Sequence, residues 1–145
     1  MQDSAIAPVS APFLARIAAM IYESLLVAAV LFVASFIIIP VVGEMTAAWQ
    51  RHVFQLYITG VLFAYFSAFW LRSGQTLAMK TWRIRLISRD GGPITAKQAL
   101  VRFFVALFGL LLGGVGLWWA WVDRDRQFLH DRIAGTRLVR LVRKA

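Results

Sequence analysis

Arg16 and Glu23 stand at the head of the first long apolar run of this 145-residue chain. They are nearly two helical turns apart, so one helix face carries both, with Ala19 and Met20. The helical rise separates them by about 10 Å along the axis. An ionisable group inside a membrane segment costs roughly 2.5–3.5 kcal/mol on insertion scales and by default faces a partner or water. Arg16 is therefore either an anchor whose guanidinium reaches the headgroups or one half of a contact. Glu23 either lies at the interface or offers a carboxylate to a proton or cation. The third residue is Asp131, just ahead of Ile133-Ala134-Gly135-Thr136, where the chain is expected to turn back to the membrane face. An acid there is placed to meet Arg16, and a buried Arg–carboxylate contact is bidentate and directional. The expected charge cluster is Arg16, Glu23 and Asp131.

Asp123 and His130 are secondary candidates. Asp123, Arg124, Asp125 and Arg126 read first as a solvated helix whose charges support one another. His130 has the side chain that titrates near neutral pH, but a lone His reads first as a packing or surface residue. There is no Cys, and the two His are His52 and His130, so no metal site is expected. Gly74-Gln75-Thr76 and Gly113-Gly114-Val115-Gly116 do not fit a nucleotide fingerprint. A basic, Trp-rich interface would suit a lipid headgroup, yet no nucleophile has a base beside it. The expectation is a protein that is not an enzyme, with no catalytic residue and no cofactor.

The elements that must position these side chains are membrane segments. Sixty per cent of the chain is hydrophobic and 16% charged, against roughly 45–50% and 25% in soluble domains. Ser24 to Ile39 carries no charge, and Val41 and Val42 extend it past Pro40. With the preceding turns this gives a first transmembrane helix over about residues 13–42, after a surface lead-in at 1–12. No Lys or Arg precedes Arg16, so a signal-peptide n-region is missing. Val53 to Leu71 is a second uncharged run, with Trp49 and Trp70 at interface depth, and gives the second span over about 53–71. The third run, residues 99–122, holds Arg102 near its start and Gly109, Gly113, Gly114 and Gly116 in its middle. It suffices for one pass and not for two.

The charge is lopsided: 16 Lys and Arg against 7 Asp and Glu, net +9. Nucleic acid is the rival reading of so basic a chain, but the apolar runs demand a bilayer, so anionic headgroups are the expected partner and nucleic acid is not. Seven of the cations lie in residues 72–102 and seven in the tail at 123–145. Both segments should face the cytoplasm, which a single pass between them forbids. Either the third run enters and leaves by one face, broken at its glycines, or it is a true third pass with an external tail. The basic loop at 72–98 has structure of its own. Trp82 to Leu86 alternates as a strand does, Asp90-Gly91 signals a tight turn, and Thr95 with Gln98 has capping-box spacing. Gly135 is a helix stop after Asp125–Ala134, and Thr136 to Val142 reads as a strand able to pair with residues 82–87. The fold class is thus an all-α membrane protein: two transmembrane helices, a third Gly-broken membrane segment, and a small basic β element on the cytoplasmic side.

Four stretches give the chain a resemblance to a known family: Ala15-Arg16-Ile17-Ala18-Ala19; Gly74 to Lys80; Arg85 to Pro93; and Leu129-His-Asp-Arg-Ile-Ala-Gly-Thr136. Over about residues 12–142 it resembles the RDD family of small bacterial membrane proteins, named for one Arg and two Asp. Arg16 matches the family Arg and Asp131 the second Asp, while Glu23 stands where the first Asp is expected, and Ala78 where a second Gly is common. The resemblance implies a single-domain, multi-pass protein of the bacterial inner membrane with a suspected link to transport. Two functions follow. One is passage of a cation, proton or small solute through a homo-oligomer, since two full spans cannot enclose a path alone. The alternative is a non-catalytic accessory or scaffold subunit of a larger membrane complex.

Overall fold

A computed structural model describes residues 9–141. The lead-in up to residue 8 and the tail from residue 142, with Arg143 and Lys144, lie outside the described residues. Strand β1 is Val9–Ser10; helix α1 is Phe13–Val42; α2 is Ala48–Arg72; α3 is Leu77–Thr81; β2 is Ile84–Ser88. Then follow α4, Ala96–Leu111; α5, Val115–Val122; α6, Leu129–Ala134; and β3, Thr136–Arg140. The chain is a mostly helical membrane protein with a small sheet.

Helices α1 and α2 are long and apolar enough to cross a bilayer. The 30 residues of α1 rise about 45 Å, some 15 Å more than the hydrocarbon core needs. The uncharged part begins at Ser24, so the first three turns stand proud of the core, level with the sheet, and Glu23 marks the boundary. At the far end Gln50 ties the tight connection: its Oε1 accepts from the Ala47 N–H at 2.9 Å and its Nε2 donates to the Val42 carbonyl at 2.9 Å.

The sheet has the order β1-β3-β2, both pairings antiparallel. Ile84 pairs with Arg140, Leu86 with Leu138 and Ser88 with Thr136. The strands expected at 82–87 and 136–142 do pair, over Ile84–Ser88 and Thr136–Arg140, with residue 142 outside the described residues. Residues 9–10 depart from the expected lead-in: they form β1 against β3, continued by the Ala11 N–H donating to the Leu138 carbonyl at 3.1 Å. Two residues of strand are below what periodicity detects; only the neighbouring edge of β3 makes them a strand.

Paired strands lie about 4.8 Å apart, so no sheet can straddle a hydrocarbon core of about 30 Å. The chain enters α1 from β1, leaves α2 for β2 and returns to β3 after α6. All three strands therefore share one side of the membrane, and the segment between β2 and β3 begins and ends there. Helices α4 and α5 form it, bent by 99° at the break. Gly113 and Gly114 make that bend with φ of +80° and +79°, a backbone that side chains with a Cβ rarely adopt. Gly109 and Gly116 then let the two helices touch: a Cβ on Gly109 would meet the Gly116 backbone at 3.4 Å. Of the two topologies open from the charge count, the same-face one holds. Trp118 and Trp121 are exposed on α5, as suits a short helix lying along the interface.

The capping box forms as spaced, and Gln98 does more than cap α4: its Nε2 donates to Ser88 Oγ at 3.0 Å and to the Gly135 carbonyl at 3.2 Å. Helix α6 ends at Gly135 but starts at Leu129, not at Asp125. Asp123 holds residues 124–127 in a turn instead, its Oδ2 accepting from the N–H groups of Asp125 and Gln127. The topology has a direct test. The chain has no Cys, so single cysteines at Arg89, Arg124 and Met45 can be labelled from either side of sealed vesicles. Positions 89 and 124 should react from one face and 45 from the other; position 124 reacting together with 45 would rule out the same-face arrangement.

Candidate functional site

Asp131 lies on the side of α6 that packs on α4, and Arg102 lies on the facing side of α4. Both are buried, and they form an ion pair through Arg102 Nη1 and Asp131 Oδ1. Thr136, the first residue of β3, closes the group: its hydroxyl donates to Asp131 Oδ1 at 3.2 Å and accepts from Arg102 Nη1 at 3.4 Å. The Arg102 guanidinium also sits 4.9 Å from the centre of the Trp70 ring on α2, a cation–π contact whose strength grows without water. One buried cation thus joins α2, α4, α6 and β3.

Arg16 does not bond Asp131, as the sequence suggested it would. Its Nε donates to the Ala11 carbonyl at 2.9 Å and its Nη1 to the Arg126 carbonyl at 2.7 Å. It is buried all the same, with its guanidinium 6.0 Å from the centre of the Phe128 ring. Phe128 stacks on His130, ring centres 5.5 Å apart and 14° from parallel. That aromatic pair stands on the Arg16 side of α6 while Asp131 turns to α4. Arg16 is a clamp on backbone carbonyls, joining the β1–α1 link to the loop that precedes α6.

Glu23 is also separate. Its Oε1 accepts from the Tyr65 hydroxyl of α2 at 2.9 Å, and its Oε2 accepts from the hydroxyl of Thr76, which is fully buried and N-caps α3. The expected single cluster is therefore three sites: a guanidinium clamp at Arg16, a carboxylate with two hydroxyls at Glu23, and a closed ion pair at Asp131. The reason is axial. About 10 Å of helix separates the two side chains, and α1 meets α2 and α3 at Glu23 but the α5–α6 loop at Arg16.

Of the secondary candidates, Asp123 takes a structural part. Arg132 Nε donates to its Oδ1 at 2.7 Å. The Gln127 N–H and then Arg132 hold its carboxyl below the usual carboxylate range. His130 is buried, its Nε2 3.9 Å from Asp131 Oδ2. Burial first, and the Arg102 charge second, push its imidazole well below the ordinary His range.

Sequence reasoning missed Arg102 as the partner, along with Tyr65, Thr76 and Thr136. The signal for Arg102 was present: it is a charge inside the third apolar run, and the rule that singled out Glu23 applies equally to it.

The RDD family model matches residues 10–135. The chain belongs to the RDD family. No curated protein and no solved structure matches it. In this RDD-family chain the matched region holds Arg16, Glu23, Arg102 and Asp131, and ends just short of Thr136 and β3.

Two measurements probe the site. Removing one partner of a buried ion pair costs about 3–5 kcal/mol, because the other charge is stranded. In detergent, Arg102→Leu and Asp131→Leu should each lower thermal stability strongly, and the double variant should cost far less than their sum. A parallel cycle with Arg16→Leu and Asp131→Leu should be additive within about 0.5 kcal/mol; strong coupling there would restore the Arg16–Asp131 pair. The second measurement is pH dependence. A His whose folded-state affinity for protons is depressed stabilises the fold fully above its unfolded value of about 6.5, and that contribution is lost as pH falls below it. Unfolding temperature should therefore drop on acidification from neutral pH, and His130→Phe, which keeps the stack on Phe128, should flatten that drop.

Proposed function

We propose that this RDD-family membrane protein passes a proton or small cation through a homo-oligomer, with Glu23 as the group that takes the ion. The observation that carries this reading is the Glu23 carboxylate at the membrane boundary, contacted by the hydroxyls of Tyr65 and Thr76. A carboxylate with two hydroxyl oxygens is a hard oxygen set, suited to small cations, and the carboxylate alone suits a proton. The Arg102–Asp131 pair is already neutralised internally, so it holds shape and leaves Glu23 as the exchangeable acid. Ser67 Oγ and Trp70 Nε1 lie one turn apart on α2, buried and without partners among the described residues, so the packing beside α4 contains polar groups.

Two spans and a re-entrant pair do not surround a path, which is why the reading needs several copies. Only 6% of the most apolar window of α1 is buried within one chain, leaving most of that helix for lipid or for neighbours. The basic sheet face would lie in the cytoplasm of a bacterial inner membrane, following the positive-inside rule. We read the protein as a non-enzyme, with anionic lipid rather than nucleic acid as its partner. A second reading, an accessory subunit, is favoured by the exposed apolar surface of α4 and α5, which includes Phe108, Leu111, Trp118 and Trp121.

Reconstitution in proteoliposomes decides between them. Cation- or proton-dependent flux should appear with the purified chain, vanish in Glu23→Gln and fall in Tyr65→Phe. Flux that is unchanged in Glu23→Gln removes the ion site, and a chain that carries no flux but co-purifies with a stable larger partner moves the reading to the accessory role.

A further inference from the structure

A second feature lies on the outer side of α1, away from Glu23. An open groove of about 540 Å³ runs beside the first turns of that helix. Leu14, Ala18 and Ile21, one stripe at helical spacing, form its floor along about 10 Å of axis. Trp82, from the turn between α3 and β2, and Arg140, the last residue of β3, also line it.

Arg140 is out of place for its position in the sheet. Directly paired residues of antiparallel strands point to the same face. Arg140 pairs with Ile84, which is fully buried, and the same face carries Leu86 and Leu138 in the core. At this end of the face the cation stands next to apolar neighbours, Ile84 beside it and the Leu86–Leu138 pair after that. Its side chain is exposed, and among the described residues it forms no ion pair and no side-chain hydrogen bond. Leu14, Ile21 and Trp82 are exposed too, at 79%, 61% and 42%. The groove thus combines a guanidinium, an indole and an aliphatic stripe on the turns of α1 that precede its uncharged part.

We propose that this groove binds one anionic phospholipid, with the phosphodiester on Arg140, Trp82 at the glycerol level and an acyl chain along Leu14, Ala18 and Ile21. The lining supplies both chemistries a lipid needs, a cation and an apolar stripe, and the charge is complementary: the chain carries net +9, and a basic side chain near the membrane surface attracts an anionic headgroup. A second copy docking about a two-fold axis would bring a second Arg140 into the interface, and the lining offers no acid to pair with it. A free phosphate would leave the apolar floor unused.

The test uses the full chain, purified in detergent, depleted of lipid and supplied with phosphatidylglycerol or phosphatidylcholine, with bound lipid counted by native mass spectrometry. The wild type should retain phosphatidylglycerol over phosphatidylcholine. Arg140→Gln should lower phosphatidylglycerol retention about fivefold, the weight of one basic residue near a headgroup. Ala18→Phe, which fills the groove without changing charge, should lower retention of that lipid as well. Arg124→Gln, which removes an exposed cation elsewhere on the same face, should leave it unchanged. Equal losses from Arg140→Gln and Arg124→Gln would reduce the effect to diffuse charge and overturn the proposal. So would full retention in Arg140→Gln, or a changed oligomer mass in that variant with lipid retention intact.

Discussion

A guanidinium shut away from water must find acceptors: Arg16 finds two backbone carbonyls, and Arg102 finds one carboxylate among the described residues, that of Asp131. The pair joins the helix that enters the membrane third to the helix that leaves for the last strand. Thr136 adds a hydroxyl from that strand, and Trp70 adds a ring from the second span. Apolar groups of similar volume would cost no less packing and would avoid two desolvated charges. What the ion pair contributes is direction: α6 has one rotation about its axis that meets Arg102, and that rotation sends β3 back to β2.

The return of β3 has a consequence for the whole membrane arrangement. A sheet shared by segments before α1, after α2 and after α6 places all three on one side. The α4–α5 pair must then be a hairpin, and its glycines let it be one. Non-helical backbone at membrane depth needs cover, and here the break is short, with the Gly114 N–H donating to the Gly109 carbonyl at 3.0 Å. The Arg16 clamp works at the same layer, fastening the loop before α6 to the base of α1. The membrane-boundary layer, not the lipid-facing part of α1, is where the chain is most densely bonded.

That division separates charges held by charged or backbone partners from charges that are not. Arg16, Arg102 and Asp131 are buried and occupied by protein partners. Glu23 is half-buried, bonded only to hydroxyls, and free of any cation among the described residues. Arg140 is exposed at the end of an apolar groove. Charges that fasten the fold are thus distinct from those left half-buried or exposed.

Patterns carried by neighbours in the chain were readable directly. The apolar runs that became α1 and α2, the break at Gly113-Gly114, the Thr95–Gln98 capping box and the 84–88 with 136–140 strand pair all arise from local periodicity, turn chemistry and charge counting. These depend on forces acting within a few residues, or on the gross preference of lipid for apolar surface. Which carboxylate meets which guanidinium was not readable in that way. Arg16 and Arg102 were both available to Asp131, and Tyr65 and Thr76 were two hydroxyls among many. β1 is a strand only because β3 offers it an edge. Such choices depend on how helices are rotated against one another, and a one-dimensional spacing constrains that rotation too loosely to choose a partner across the 28 residues between Arg102 and Asp131. Packing of α4 on α6 chose it.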